Sequence, residues 1–239
     1  MMNAKELFQA GKIEDSVQVL AAELRNDPTD ARRRTFLFEL LCFMGEFGRG
    51  EKQLDILSDL SKEAGMGTLI YRSAIQAERL RLEMFDKKAF PQTTAGVVRQ
   101  AKLNGKDCGT VEDADPRIGP RLEVFAAGAY LWLPFAHIES IRMEAPKRLR
   151  DLIWIPAILK TAPGCGGLDL GEVLVPALTP LAFRHPDNSV RLGRQTVWEE
   201  VEGEAIPAGQ KLLLINGEEF PILEVRTLEF PVAAEATTE

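Results

Sequence analysis

The chain has 239 residues, 45% hydrophobic and 27% charged, close to the average of folded globular proteins, so one or two cores are expected and a disordered or fibrous chain is excluded. Lys and Arg number 29 against 36 Asp and Glu, a net charge of -7 that repels phosphate backbones and anionic lipid and argues against nucleic acid as a partner. Three cysteines, Cys42, Cys108 and Cys165, are odd in number and far apart, and read as reduced thiols in a cytoplasmic protein.

The first residues, Met1 to Glu6, turn amphipathic at once, where a secretory leader needs a basic start and then an unbroken apolar run. No apolar stretch approaches the ~20 residues of a membrane helix, so no membrane association is expected. Asn3 with Glu6 has the spacing of a capping box and predicts the first helix start. The segment around Gly11 then recurs 34 residues later around Gly45, with Ile13 matching Phe47, Ser16 matching Gly50 and Leu20 matching Leu54. A glycine that closes a helix at positive φ, an apolar corner residue and a small residue where two helices meet make a helical hairpin. Asp27-Pro28-Thr29-Asp30 ends one hairpin and starts the next, with Pro28 unable to continue a helix and Asp30 placed to cap the following one. This is the tetratricopeptide pattern. Leu37, Leu40, Leu41 and Met44 recur at helical spacing, and Thr68 to Phe85 reads as a closing helix. Two hairpins do not bury a continuous core alone, so they are expected to lean on a second domain.

The boundary is placed between Asp86 and Asn104, with a short helix expected from Ala95 to Leu103. From Cys108 onward, runs such as Tyr130 to Pro134, Leu152 to Pro156 and Gly171 to Pro176 are short, apolar and stopped by proline, as strands are. Gln210 to Ile215, Asn216-Gly217 and Phe220 to Phe230 read as a β-hairpin, with Leu223, Val225 and Thr227 on one face. The expected fold is α+β. Tetratricopeptide-like helical hairpins occupy 1–104, a mainly antiparallel β-rich domain 105–230, and a disordered tail 231–239.

No metal or cofactor site is expected. His137 and His185 stand in no metal-ligand spacing, and no glycine pattern forms a phosphate cradle. Cys165, in Pro163-Gly-Cys-Gly-Gly, and the pair Asp113 and Asp115, with Arg117 and Glu123 nearby, are the candidates for an alternative reading as a small hydrolase or transferase. The density of turn formers around Asp113 favours buried pairing with arginine instead. Arg184, Arg191 and Arg194 make a basic spot, but Asp187, Glu199 and Glu200 lie close and predict salt bridges or a solvated face. Phe36, Phe38, Phe43 and Phe47 crowd one repeat and read as core, or in part as the lining of a peptide groove.

Four stretches in order, Asp113-Ala-Asp-Pro-Arg-Ile-Gly-Pro-Arg-Leu-Glu, Tyr130-Leu-Trp-Leu-Pro-Phe, Arg148-Leu-Arg-Asp-Leu-Ile-Trp-Ile-Pro-Ala and Arg191-Leu-Gly-Arg-Gln-Thr-Val-Trp, resemble the ImpE/SciE (TagJ) family. So do Phe36-Leu-Phe-Glu-Leu-Leu and Gln53-Leu-Asp-Ile-Leu in the front segment, whereas Val175 to Asp187 departs from the family pattern. The resemblance implies a non-enzymatic, cytoplasmic accessory protein of a bacterial type VI secretion system. It also implies as partners the N-terminal helix of the small subunit of the contractile sheath and the ATPase that recycles sheath. It brings no catalytic, metal or cofactor residues. Docking of an amphipathic helix on stacked hairpins is the expected mode, and a purely structural subunit is the blander alternative.

Overall fold

The computed structural model of the chain describes residues 2–60, 62–91, 100–163 and 170–230, with the backbone alone for 62–64. The expected capping box opens the first helix, α1 (Ala4–Gln9): Glu6 N donates to Asn3 Oδ1 at 3.0 Å and Asn3 N donates to Glu6 Oε2 at 2.9 Å. Gly11 turns the chain at φ 77° into α2 (Ile13–Asn26), and Ile13 fills the corner with no exposure. Ser16 occupies the close-approach position and donates to Ala4 O at 2.6 Å. The same design recurs one repeat later. Asp30 caps α3 (Ala31–Phe43) through Arg33 N at 2.9 Å, Gly45 turns at φ 70°, and α4 (Phe47–Leu60) brings Gly50 against Phe38 and Cys42. The closing helix, α5 (Lys62–Asp86), is longer than the expected Thr68 to Phe85 and packs antiparallel on α4, with Arg79 bridging Glu51 and Arg72 bridging Asp55.

Beyond residue 100 the structure is β-rich and every named strand pair is antiparallel. An eight-stranded sheet has the order β2-β1-β13-β6-β7-β8-β4-β5. Its strands are β1 (Ala101–Leu103), β2 (Lys106–Cys108), β4 (Arg121–Ala126), β5 (Ala129–Pro134), β6 (Ile138–Met143), β7 (Trp154–Thr161), β8 (Gly171–Pro176) and β13 (Thr227–Glu229). A three-stranded sheet orders β12 (Glu218–Pro221), β11 (Leu212–Ile215) and β3 (Val111–Asp113), and a separate ribbon pairs β9 (Thr196–Val201) with β10 (Glu204–Gly209).

Three expectations change. The helix expected to run from Ala95 to Leu103 ends instead in strand β1, while 95–99 lie outside the described residues. Asn104 and Gly105 both take positive φ, 50° and 79°, the two-residue turn that closes β1 onto β2. Pro156 does not stop its strand: it precedes Ala157, the first β7 residue paired to β6, where a missing N–H costs no bond on that side. The strand expected from Phe220 to Phe230 breaks at Pro221 into a 3-10 turn, Ile222–Glu224, and β13. The chain thereby crosses from the small sheet to the large one. Ile222, Val225, Leu228 and Phe230 are the buried residues, the first three at intervals of three that the alternation of Leu223 and Val225 concealed. The Asn216-Gly217 hairpin turn forms as expected, at φ 54° and 84°.

Alternation along the large sheet builds a three-layered arrangement. Leu122, Val124, Ile155, Leu159, Val173 and Val175 face the small sheet's Val111 and Leu213 in one core. On the opposite face Phe125, Tyr130, Trp154 and Leu174 pack into the second core, shared with Leu37, Phe38, Leu41 and Ile75 of the helices. The helices therefore do lean on the β part. α3 is the helix most deeply enclosed, with every residue from Leu37 to Phe43 buried.

Candidate functional site

Buried charge concentrates where the layers meet. Glu123 sits on the helix-facing side of β4 with no exposure. Arg81 of α5 grips it with Nε at 2.7 Å and Nη2 at 2.9 Å, and Nη2 also donates to Leu178 O at 2.9 Å. Arg81 Nη1 donates to Glu78 Oε1 at 3.0 Å, and the other Glu78 oxygen accepts from Trp154 Nε1 at 3.0 Å. On the far side Lys211, 1% exposed and just ahead of β11, places Nζ 2.5 Å from both Glu123 Oε2 and Asp113 Oδ2. The Tyr130 hydroxyl donates to Glu123 Oε1 at 2.5 Å and accepts from Trp132 Nε1. One chain of ions thus runs from the small sheet through the large sheet into α5.

The electrostatics follow from burial and neighbours. Burial would raise the Glu123 carboxyl, but Arg81 and Lys211 outweigh it and hold it down at about 2. Burial pushes Asp113 up to about 6, against the pull of Lys211 and with the help of Glu123's charge. Burial also opposes the charges of Arg81 and Lys211, yet their carboxylate partners more than compensate and keep both protonated. Tyr130 is held neutral by burial and by Glu123 beside it.

Of the candidate catalytic residues, Asp113 and Asp115 have structural partners. Asp113 Oδ1 accepts from Asp115 N at 3.0 Å, and Asp115 takes Arg117 through Nε at 2.8 Å and Nη2 at 2.5 Å. The expected pairing with arginine holds for Asp115; Asp113 pairs with a lysine. Neither histidine joins this cluster: His185 Nε2 lies 3.4 Å from Glu199, and His137 ends a 3-10 turn ahead of β6. Cys165 lies outside the described residues. Cys42 is a buried free thiol whose proton is held by burial and by the charge of Glu39. Among the described residues no group of three His, Cys, Asp or Glu side chains is disposed to hold a metal. The cavity beside Arg81 and Glu78 is about 20 Å³, room for one water and no substrate.

The basic spot pairs internally across the helix and β layers. Arg191 meets Glu14 at 2.5 Å, and Arg184 grips Asp86 at 2.7 and 2.9 Å. Arg194 donates to Phe8 O at 2.7 Å and Gln9 O at 2.9 Å, neutralising two end-carbonyls of α1 while stacking over the Phe8 ring. Arg194→Ala is expected to cost about 1 kcal/mol, the value of an ordinary hydrogen bond. It should speed amide hydrogen exchange in α1 more than in β4; equal acceleration in both would contradict this reading. Arg150 repeats the theme with Glu39 at 3.0 Å and the Tyr71 ring.

The phenylalanines do not line a groove. Phe38, Phe43 and Phe47 are buried, and Phe36 packs edge-on to Phe8 at 5.9 Å. The conspicuous apolar exposure on the helices lies at the start of α5, where Met66, Leu69 and Ile70 are 76%, 61% and 55% exposed at i, i+3, i+4 spacing. Lys211, Arg81 and Glu78 were missed from sequence. The available signal was a lysine leading straight into the apolar run Leu212 to Ile215, and a lone Glu123 within an apolar strand.

The arrangement is that of a helical-repeat layer locked by buried ions onto an antiparallel β body, with its charges used for internal docking. A family model described as ImpE protein matches residues 105–229. The sequence is 32% identical to the type VI secretion system accessory component TagJ of Pseudomonas aeruginosa, over 96% of this chain and 91% of that protein. The chain belongs to the ImpE family. Its fold matches the crystal structure of protein VPA1032 from Vibrio parahaemolyticus, with a TM-score of 0.82 over 95% of this chain and 97% of that one, at 22% identity.

Proposed function

We propose that the chain is a non-enzymatic accessory protein of a bacterial type VI secretion system. It works in the cytoplasm by binding the N-terminal helix of the small sheath subunit, with the sheath-recycling ATPase as a further partner. The observation that carries the accessory role is the likeness to TagJ along nearly the full length of both chains. Consistent with a cytoplasmic site, no helix among the described residues is long and apolar enough to cross a membrane. Support for helix docking comes from the helical layer. Its own β body covers α3, and the open apolar stripe is Met66, Leu69 and Ile70 on α5, spaced as one face of a helix presents itself to another.

Calorimetric titration of the whole protein with a synthetic peptide of the sheath subunit's N-terminal helix tests this. One-to-one binding with a negative heat-capacity change is expected. Leu69→Asp should weaken it at least ~10-fold, the effect of placing a charge in an apolar contact. Because Leu69 is exposed, the variant should melt like the wild type. No heat at high micromolar peptide removes the sheath partner; full affinity in Leu69→Asp moves the contact elsewhere.

A further inference from the structure

We infer that the chain of ions from Asp113 through Lys211 and Glu123 to Arg81 and Glu78 is a proton-dependent latch between the helices and the two sheets, with Asp113 as the member that takes the proton. This stands independently of the sheath reading. Its basis is a charge count in a closed space. Arg81 and Lys211 are the cations, Glu78, Glu123 and Asp113 the carboxyl groups, and all five side chains are buried. With every carboxyl ionised the cluster carries one uncompensated negative charge, which a low-dielectric interior penalises and one bound proton removes.

The surroundings of Asp113 direct the proton to it. From its own segment it faces Asp115, itself neutralised by Arg117. From the residue ahead of β11 it faces Lys211, and Glu123 on β4 shares that ammonium. α5 contributes Arg81 and Glu78, and β5 the hydroxyl of Tyr130, all of them directed at Glu123 or at one another. Glu123 therefore holds two cations and a hydroxyl, while Asp113 holds a part share of one ammonium and a backbone N–H. When Asp113 is protonated, Lys211 belongs wholly to Glu123, and the Lys211–Glu123–Arg81–Glu78 chain between small sheet, large sheet and α5 is charge-balanced.

The sign follows from linkage. A carboxyl raised to about 6 in the folded chain from its ordinary 3.8 binds more proton folded than unfolded, so its stabilising contribution is present on the acid side and is lost as pH rises through about 6. Glu123, lowered from 4.5 to about 2, acts oppositely, and its contribution is lost as pH falls below about 4.5. Glu39, also raised by burial, pushes in the same sense as Asp113, so stability against pH alone does not identify the proton's site.

The experiment is a carbon-13 NMR titration of the assigned aspartate carboxyls in the intact wild-type protein, paired with urea unfolding of wild type and Asp113→Asn at pH 5.5 and 7.5. The expected result is an Asp113 carboxyl midpoint near pH 6, and a fall in the wild-type urea midpoint from pH 5.5 to 7.5 that is smaller in Asp113→Asn. The variant keeps the oxygen that accepts from Asp115 N and mimics the protonated state. An Asp113 carboxyl that titrates below pH 5, or an unchanged pH dependence in the variant, overturns the latch. If Asp113→Asn does not fold, the wild-type titration decides alone.

Discussion

Glu123→Ala is expected to lower the unfolding free energy by about 3–5 kcal/mol, the cost of removing one partner from a buried ion pair. Total stabilities are typically ~5–15 kcal/mol, so this single change removes a large part of the margin. The magnitude comes from what remains rather than from what is deleted. Arg81 and Lys211, 2% and 1% exposed in the folded chain, would keep Glu78 and Asp113 as acidic partners, and the Tyr130 hydroxyl would be stripped of its acceptor. Lys211→Met leaves the Arg81–Glu123 grip intact but takes one of two cations away from three buried carboxyl groups, so it should lose a comparable amount. Urea unfolding followed by far-UV circular dichroism measures both. A loss under about 1 kcal/mol for Glu123→Ala would mean that water reaches the cations and that the cluster is not sealed.

The second large effect is expected at a hairpin turn. Gly45→Ala should cost about 2–5 kcal/mol, from two sources that can be separated. A side chain at φ 70° carries roughly 1–2 kcal/mol of left-handed strain. The added Cβ would also stand 2.4 Å from the Phe183 ring, which must give way and surrender its edge contact with Phe47, an overpacking cost of roughly 1–3 kcal/mol. Gly11 is the internal control. It has the same role one repeat earlier and φ 77°, but the nearest atom to its added Cβ is Arg194 Nη1 at 3.8 Å, so Gly11→Ala should show the backbone cost alone. Thermal or urea unfolding of Gly45→Ala, Gly11→Ala and Gly45→Ala with Phe183→Ala completes the comparison. Equal losses in the two single variants would remove the steric argument.

These two effects mark different origins of stability. The Gly45 turn belongs to the repeat, and its conformational need is legible in a 34-residue echo. Its contact with Phe183 is not, because Phe183 enters from the β half through a 3-10 turn, Ala182–Arg184, that no local pattern announces. Each half of that site has a separate cause, and only folding joins them.

The sequence by itself determined the helical hairpins, the α+β class, the family and the Asn216-Gly217 turn. The hairpins and the turn rest on interactions between near neighbours: Asn3 with Glu6, Asp30 with Arg33, a glycine with its own φ. It also marked Asp113, Asp115 and Glu123 as a charged group apart. Tertiary structure alone decided that Ala101–Leu103 is a strand beside Thr227–Glu229, and that the run after Pro221 changes sheets. It also decided that Glu123 is held by Arg81 and Lys211, 42 and 88 residues away. Short-range periodicity and caps specify which face of an element is apolar. Which distant cation meets a buried carboxylate depends on how the layers stack, and that is set by the whole set of contacts at once.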